Sequence, residues 1–161
     1  MEQGSDQSLR RVMSAFATGV TVVTAASAKG RLSGITVNSL TSVSLAPPLL
    51  LWCLGDQSER YSVFSKADVW GLTVLGADDE ALAVRLARAE TENIAAEESE
   101  SFAGVPILKA GIAHVACRTY DRRQAGDHLI IIGEALAMRV KPGAALSFYR
   151  GAYGRIEDPR G

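Results

Sequence analysis

Hydrogen-bonding side chains are densest in residues 34–48, which read Gly-Ile-Thr-Val-Asn-Ser-Leu-Thr-Ser-Val-Ser-Leu-Ala-Pro-Pro. The β-branched residues predict a strand, and the threonine, serine and asparagine side chains would give it many donors and acceptors. Short hydroxyls, one amide and free main-chain groups suit an isoalloxazine ring, whose nitrogen and oxygen atoms need directed partners, and its ribityl phosphate. The alternative is an ordinary edge strand rich in serine and threonine.

Histidine, the side chain that titrates near neutral pH, occurs twice, as His114 and His128. His128 follows Gly126-Asp127 at a predicted hairpin turn and enters an apolar strand. Since a lone histidine is more often structural than catalytic, the residues alone leave both roles open for His128. His114 lies inside a predicted strand, and we expect it to be structural.

Ser58 ends the segment Leu-Gly-Asp-Gln-Ser at residues 54–58, directly after an apolar run. We predict a helix from Ser58 through Lys66. A helix N-terminus presents free N–H groups and positive potential, so Ser58 is placed to meet an anion such as a phosphate. The alternative is an ordinary helix cap with no ligand.

Several common catalytic motifs are missing from the sequence. No glycines are spaced as Gly-x-Gly-x-x-Gly and none precedes a lysine, which excludes the usual dinucleotide fingerprint and the P-loop. The sequence has no Gly-x-Ser-x-Gly elbow, and neither histidine belongs to a cluster of metal-ligand type. Cys53 and Cys117 lie far apart, so we expect two reduced, buried thiols. If the chain is an enzyme, elimination favours chemistry carried by a bound organic cofactor, with no metal.

The 161-residue chain has the length of one domain and a formal net charge of −1. A nucleic-acid-binding protein needs a concentrated basic face, which this balance does not favour. The longest apolar run, residues 49–54, is far shorter than the about 20 residues of a membrane-spanning helix. The N-terminus lacks the basic-then-apolar pattern of a signal peptide. We expect one domain over residues 1–161, in the cytoplasm, with no nucleic-acid or membrane partner.

The elements that must position these groups follow from the spacing of apolar residues. Apolar residues three and four apart predict a short helix capped by Ser8 and a second helix that begins at Asp78 or Asp79. Runs of strands without regular β-α alternation favour an antiparallel sheet or barrel over a doubly wound sheet. The two helix faces are Leu9, Val12, Met13 and Phe16, and Leu82, Ala83, Leu86 and Ala87. The predicted strands are 20–24, 35–45, 49–54 (buried on both faces), 69–75, 112–120 and 128–138. A turn is predicted at 29–30, a solvated acidic loop or helix end at 90–100, and a hairpin connection at 124–127.

Four blocks of the sequence, in this order, resemble the short-chain flavin reductase family, the reductase components of two-component flavin monooxygenases. The resemblance covers about residues 9–154. It implies a mainly β fold, a split β-barrel of the antiparallel, Greek-key, FMN-binding type with a few flanking helices, and a homodimer with flavin near the subunit interface. The blocks are Phe-Ala-Thr-Gly-Val-Thr-Val-Val-Thr (16–24), Thr-Val-Asn-Ser-Leu-Thr-Ser-Val-Ser-Leu with its Pro-Pro (36–48), Gly-Asp-His-Leu to Gly-Glu (126–134) and Tyr-Arg-Gly-Ala-Tyr (149–153).

The resemblance also implies roles for single residues. His128 would stand beside the nicotinamide as the catalytic residue, orienting it first and delivering a proton second. Tyr153 would close over the nicotinamide or pack the dimer, and an adenine of FAD would rest near Leu86. The implied cofactor-binding residues are Gly34, Thr36, Val37, Asn38 and Ser39 for the ring and ribityl chain, and Leu54, Gly55, Asp56 and Ser58 for the phosphate end.

The implied activity is reduction of FAD or FMN by NADH or NADPH, through hydride transfer to flavin N5. The reduced flavin would diffuse to a partner monooxygenase. Two alternatives share the barrel: a flavin-binding module without nicotinamide turnover, and an enzyme similar to pyridoxamine-phosphate oxidase. The second would need arginines and lysines around a phosphate, and residues 36–45 contain none.

Overall fold

The structure, a computed structural model, describes residues 4–88 and 90–159. The outermost residues of the predicted 1–161 domain therefore lie outside the described residues. Within them the chain forms three α-helices and twelve strands. The helices are α1 (Asp6–Ser14), α2 (Tyr61–Phe64) and α3 (Glu80–Ala87); the strands are β1 (Thr18–Gly19), β2 (Thr21–Ala26), β3 (Leu32–Val37), β4 (Thr41–Leu45), β5 (Pro48–Gly55), β6 (Val69–Val74), β7 (Ser99–Phe102), β8 (Val105–Leu108), β9 (Ala113–Ala125), β10 (His128–Val140), β11 (Ala145–Tyr149) and β12 (Ala152–Ile156).

Seven strands form one antiparallel sheet in the order β3-β2-β6-β9-β10-β5-β4. The two edge strands, β3 and β4, are consecutive in the chain, so residues 38–40 connect one edge of the sheet to the other. Ser39 fixes this connection, because its Oγ accepts a hydrogen bond from Cys53 N on β5 at 3.0 Å. The predicted antiparallel, mainly β architecture is confirmed, as is the long β9–β10 hairpin.

The interior of the sheet is filled by Trp52, Trp70 and Phe64, which are buried and meet edge to face. Such large rings supply much of a small core's apolar burial. Gly133 on β10 is required by this packing, since a Cβ there would lie 2.3 Å from Trp70. A second cluster fills the space between β2, α3 and β8 and includes Val22, Leu86 and Leu108.

Helix α1 begins earlier than its apolar spacing predicts. Ser5, not Ser8, is the cap, since its Oγ accepts a hydrogen bond from Ser8 N at 3.2 Å. The first turn is polar, and apolar spacing does not detect such a turn. The predicted apolar face does form, but its four side chains are between 54% and 69% exposed. Within the described chain this face is therefore left largely uncovered.

Three sequence predictions about the β3–α2 region are wrong. Residues 35–45 are not one strand but the ends of β3 and β4, because Asn38 and Ser39 turn the chain across the sheet. The helix predicted from Ser58 through Lys66 is only the single turn α2, because the carbonyl of Ala67 accepts bonds from Thr119 and Arg122 and the chain turns into β6. Strand β5 is fully buried only at alternate residues near its end, since its neighbour β4 is an exposed edge.

The structure also contains strands that the sequence did not predict, among them β7, β8, β11 and β12. The β7–β8 hairpin packs on β6 through β8, since a Cβ on Gly71 would lie 2.3 Å from the carbonyl oxygen of Pro106. The β11–β12 hairpin pairs with β1 as a separate sheet. Every described helix is too short or too polar to cross a membrane.

Candidate active site

A groove of about 170 Å³ opens where β3 ends. One wall is aromatic: Phe148 and Tyr153 face each other across the β11–β12 hairpin with ring centroids 5.2 Å apart. Burial, with the charge of Glu80 as the smaller cause, raises the pKa of Tyr153. The structure thus brings together four residues predicted for the cofactor site with three others, and the lining is Thr36, Val37, Asn38, Tyr153, Val20, Ala87 and Phe148.

The polar groups of β3 and of the residue that follows it differ in whether they are available to bond a ligand. Thr36 Oγ1 donates to the carbonyl of Ala83 at 2.8 Å, so its hydrogen is already used. Gly34 donates through its N–H to Asn93 Oδ1 at 2.7 Å, and its carbonyl accepts two bonds. Gly34 is buried, and a Cβ on it would lie 2.7 Å from Ile94, so its position serves close packing. Asn38 is exposed, and its amide has no bond to another described residue, so it is free to bind a ligand.

Ser39 follows the groove residue Asn38 and bonds to strand β5, which carries Leu54. Because the Ser39 hydroxyl accepts from Cys53 N, its own hydrogen remains available as a donor. The Leu54 side chain is fully buried in the core, so it has no access to a ligand. Leu86 is buried as well, so its side chain does not face the groove, whereas Ala87, the next residue, lines it.

The turn that precedes β10 presents His128 beside Gly55. The two residues are register partners, and a Cβ on Gly55 would lie 3.6 Å from His128 Nε2, so the imidazole covers Gly55. His128 Nδ1 lies 2.7 Å from Asp127 Oδ1, and the side chain is 48% exposed. The hydrogen bond to His128 is the main cause that lowers the pKa of Asp127. With Nδ1 engaged, Nε2 is the ring atom left to act on a ligand.

Asp56 ties the loop after β5 to this turn. Its N–H donates to the Asp127 carbonyl at 3.0 Å, and its Oδ2 accepts from Gln124 Nε2 at 2.8 Å. Ser58 lies further along the loop, half-buried, and its Oγ accepts from Arg60 N at 3.3 Å. Ser58 therefore belongs to a turn before α2 and not to the start of a long helix.

Sequence reasoning did not single out Arg60 or Phe148. Arg60 is buried, and its Nη1 donates to the carbonyls of Gly34 at 3.0 Å and Leu86 at 2.8 Å. No local motif signals that contact, because its partners lie far away in the chain. For Phe148, the alternation of apolar residues in 146–148 before the Tyr-Arg-Gly turn could have predicted the strand that carries it.

His114 is buried, as expected of a structural residue, and its Nε2 lies 2.8 Å from the carbonyl of Ala110. Burial is the main cause that lowers its pKa. Both cysteines are free thiols; Cys117 is buried, and burial raises its pKa to about 12, whereas Cys53 is only half-buried.

An aromatic wall, a free amide, a hydroxyl donor and an accessible imidazole suit a flat heteroaromatic ligand. The buried guanidinium of Arg60, whose Nε has no partner in the described residues, adds a positive charge beside them. This donor set fits a phosphate-bearing ring compound such as a flavin.

Comparison with known proteins gives one family. A family model described as "Flavin reductase like domain" matches residues 13–157. A protein of Agrobacterium fabrum named FMN reductase (NADH) SmoA is 40% identical over 152 residues, which is 94% of this chain and 87% of that protein. The reductase component of 4-nitrophenol 4-monooxygenase/4-nitrocatechol 2-monooxygenase from Rhodococcus opacus is 32% identical over 91% of this chain and 79% of its own length.

Solved structures give the same picture. The NADH:FAD oxidoreductase SgcE6 of Streptomyces globisporus C-1027, solved in complex with NAD and FAD fragments, matches with a TM-score of 0.87 and 30% identity over 100% of both chains. The expected split-barrel fold is thereby confirmed.

Proposed function

The chain belongs to the flavin reductase-like family, and we propose that it is an NAD(P)H:flavin oxidoreductase that reduces FMN or FAD. We further propose that residues 9–154 form the core of one such domain, which the family match over 13–157 supports. The names of the relatives, an NADH-dependent FMN reductase and an NADH:FAD oxidoreductase, support a nicotinamide donor and leave both flavins as acceptors.

One observation carries the proposal: the two predicted halves of the site meet on a single strand. Ser39 bonds to β5 at Cys53, and the His128 ring covers Gly55, two residues further along that strand. Two residues of a strand span about 7 Å, so a ring held at the Asn38–Ser39 segment lies within reach of a second ring beside His128. Hydride transfer needs just such a pair of rings at near-contact distance.

A bound flavin supplies the N5 atom that accepts the hydride from the nicotinamide. The chain's own residues bind and orient. Asn38 and Ser39 donate to the flavin, Gly55, Asp56 and Ser58 form the loop proposed for its phosphate end, and Phe148 and Tyr153 exclude water from one side of the groove. Asp127 holds Nδ1 of His128, so that Nε2 orients the nicotinamide and can pass on a proton.

We propose that the active form is a homodimer. The groove is open, and its hairpin is joined to α1, because Arg150 N donates to the carbonyl of Ser14 at 3.0 Å. The exposed apolar face of α1 therefore lies next to the site, and a second copy would bury it while supplying the missing wall. Light scattering of the wild type should give a dimer, Val12→Glu on α1 should give a monomer, and Gln7→Glu on the same helix should not. An active wild-type monomer at micromolar concentration would contradict this.

The reduced flavin is proposed to serve a partner monooxygenase by diffusion, in the cytoplasm where reduced nicotinamide is produced. The Rhodococcus opacus relative, a reductase component of a monooxygenase, supports this role. The test of the proposed function is oxidation of NADH and NADPH with FMN, FAD and riboflavin added in turn. Nicotinamide oxidation that depends on added flavin supports the reductase. Tight flavin binding without oxidation would instead indicate a flavin-binding module.

A further inference from the structure

Arg60 is a buried charge without a counter-charge. Its side chain is only 5% exposed, and it forms no ion pair with a described carboxylate. The nearest acids that influence it, Glu59 and Glu90, act only through space. Its Nε is enclosed and has no hydrogen-bond partner in residues 4–88 and 90–159.

The two carbonyls bound by Nη1 account for only part of this arrangement. Leu86 lies at the C-terminal end of α3, where a cation is favoured by the helix dipole, and Gly34 adds a second acceptor. Neutral carbonyls stabilise a guanidinium less than an anion does, and a buried charge lacking an anion is costly. The fold therefore retains a positive charge that no described carboxylate contacts directly.

The position of Arg60 indicates which anion could pair with its guanidinium. The guanidinium joins strand β3 at Gly34 to the end of α3 at Leu86. The backbone N–H of Arg60 donates to Ser58 Oγ in the loop after β5. The residue after Leu86 and the residue two beyond Gly34, which are Ala87 and Thr36, both line the groove. A ligand lying along the groove past Thr36 would bring its charged end toward Arg60.

We infer that Arg60 supplies the positive charge that holds the phosphate of the flavin, an inference that rests on the proposed function. FMN and FAD both carry a phosphate on the ribityl chain, whereas riboflavin carries none. Arg60 would thus make this chain discriminate phosphorylated flavins from riboflavin. A charge-assisted contact of this kind is about twice as strong as a neutral hydrogen bond.

The test measures equilibrium binding in the absence of nicotinamide. The affinities of FMN and riboflavin are measured by flavin fluorescence for four proteins: the wild type, Arg60→Met, Arg60→Lys and Arg31→Met. Arg31 is the matched control, because it is an exposed arginine already paired with Glu92. The wild type should bind FMN more tightly than riboflavin by about tenfold or more, and Arg60→Met should remove most of that ratio. Arg60→Lys should retain part of it, and Arg31→Met all of it. Equal losses for FMN and riboflavin in Arg60→Met would overturn the inference.

If the Arg60 variants fail to fold, a measurement on the wild type alone still tests the inference. Added salt should weaken FMN binding and leave riboflavin binding unchanged, since only the former involves a charge pair. No salt-dependent difference between the two flavins would overturn the inference. Failure of the proposed function would show elsewhere, as an absence of nicotinamide oxidation, whatever the FMN-to-riboflavin ratio is.

Discussion

The two ends of the β9–β10 hairpin each carry one histidine, and the two environments are opposite. At the start of β9, His114 is fully buried between its cross-strand neighbours Thr73 and Arg139. At the start of β10, His128 lies next to an open turn and pairs with the exposed carboxylate of Asp127. One hairpin therefore presents the same side chain once to the interior and once to the surface.

The difference lies in what covers each end. The β7–β8 hairpin lies over the His114 end, where Glu100 pairs with Arg139 and Phe102 stacks on its guanidinium. In the described chain no such cover lies over the His128 end, where Gly55 has no side chain to fill the space beside the imidazole. The role of a histidine in this fold thus depends on packing from a distant segment, so we expect variants at the two ends to fail in different ways.

The largest effect is expected at the open end. His128→Ala should lower the hydride-transfer rate about 10- to 100-fold and raise the nicotinamide KM, because the nicotinamide carboxamide loses the side chain that orients it. The loss should be no larger, because the two stacked rings remain. Flavin affinity should stay near the wild-type value, because Asn38 and Ser39 are intact. Steady-state kinetics with NADH varied, together with flavin binding, measures both. A loss of flavin affinity as large as the loss of rate would contradict the separate roles assigned to His128 and to the Asn38–Ser39 segment.

At the covered end the loss should be one of stability. His114→Leu leaves the Ala110 carbonyl without its 2.8 Å partner, and an unsatisfied buried acceptor costs about 1–3 kcal/mol. Urea unfolding of the variant should show that decrease, while nicotinamide turnover per folded molecule stays unchanged. A kinetic defect in His114→Leu without a stability loss would reverse the roles assigned here.

The covered end also predicts a pH dependence. Folding lowers the pKa of His114, chiefly through burial and further through the charges of Arg139 and Lys141. The unfolded chain then binds the proton better, so the stabilising contribution is fully present above the unfolded value of about 6.5 and decreases as pH falls below it. Each unit of lowering corresponds to about 1.4 kcal/mol. As pH is lowered below about 6.5, the free energy of unfolding should decrease more for the wild type than for His114→Leu. Equal decreases in the two proteins would contradict the assignment.

A smaller effect is expected at the flavin end of β5. Asn38→Ala should weaken flavin binding by about 0.5–1.5 kcal/mol, because it removes one hydrogen bond to the ligand. Ser39→Ala should weaken it by at least as much, because it also removes the acceptor for Cys53 N that fixes the connection between β3 and β4. Neither should change the KM for nicotinamide, which distinguishes them from His128→Ala. Equilibrium titration with flavin is the measurement, and Ser42→Ala on the exposed edge strand β4 is the control. Wild-type affinity in both variants would place the flavin elsewhere.

The smallest effect is expected from Asp127→Asn. The carboxylate is 92% exposed, so its hold on His128 is weakened by water, and we expect a decrease in turnover of about two- to fivefold. The amide oxygen of asparagine can still accept from Nδ1, whereas Asp127→Ala cannot and should lose more. Equal activity of all three proteins would show that His128 needs no positioning partner.

Much of the sheet could be predicted from sequence because its signals are local. The β-branched run before Thr24 and the long alternating strands on either side of Gly126 specify β2, β9 and β10 wherever they pack. The division of residues 35–45 into β3 and β4 could not be predicted in this way. It depends on Ser39 reaching Cys53, a contact between segments that no window of sequence contains.

The site divides along the same line. The Asn38–Ser39 segment, the Gly-Asp-His turn and Tyr153 could be proposed as site residues from their residue types and the resemblance they carry. Arg60 could not, because its carbonyl partners at Gly34 and Leu86 come from opposite sides in the chain. Gly34 and Leu54, both predicted for the cofactor site, are buried, and sequence could not show this because burial is a tertiary property that composition does not report.

The central claim is that hydride passes from nicotinamide to flavin at the open end of the hairpin. Anaerobic stopped-flow mixing of NADH with flavin-loaded protein tests it most directly, with the visible absorbance of oxidised flavin as the signal. We predict rapid bleaching with the wild type, the same rate with His114→Leu under conditions where it is folded, and a rate about 10- to 100-fold lower with His128→Ala. Bleaching by His128→Ala at the wild-type rate, at both saturating and limiting NADH, would contradict the claim.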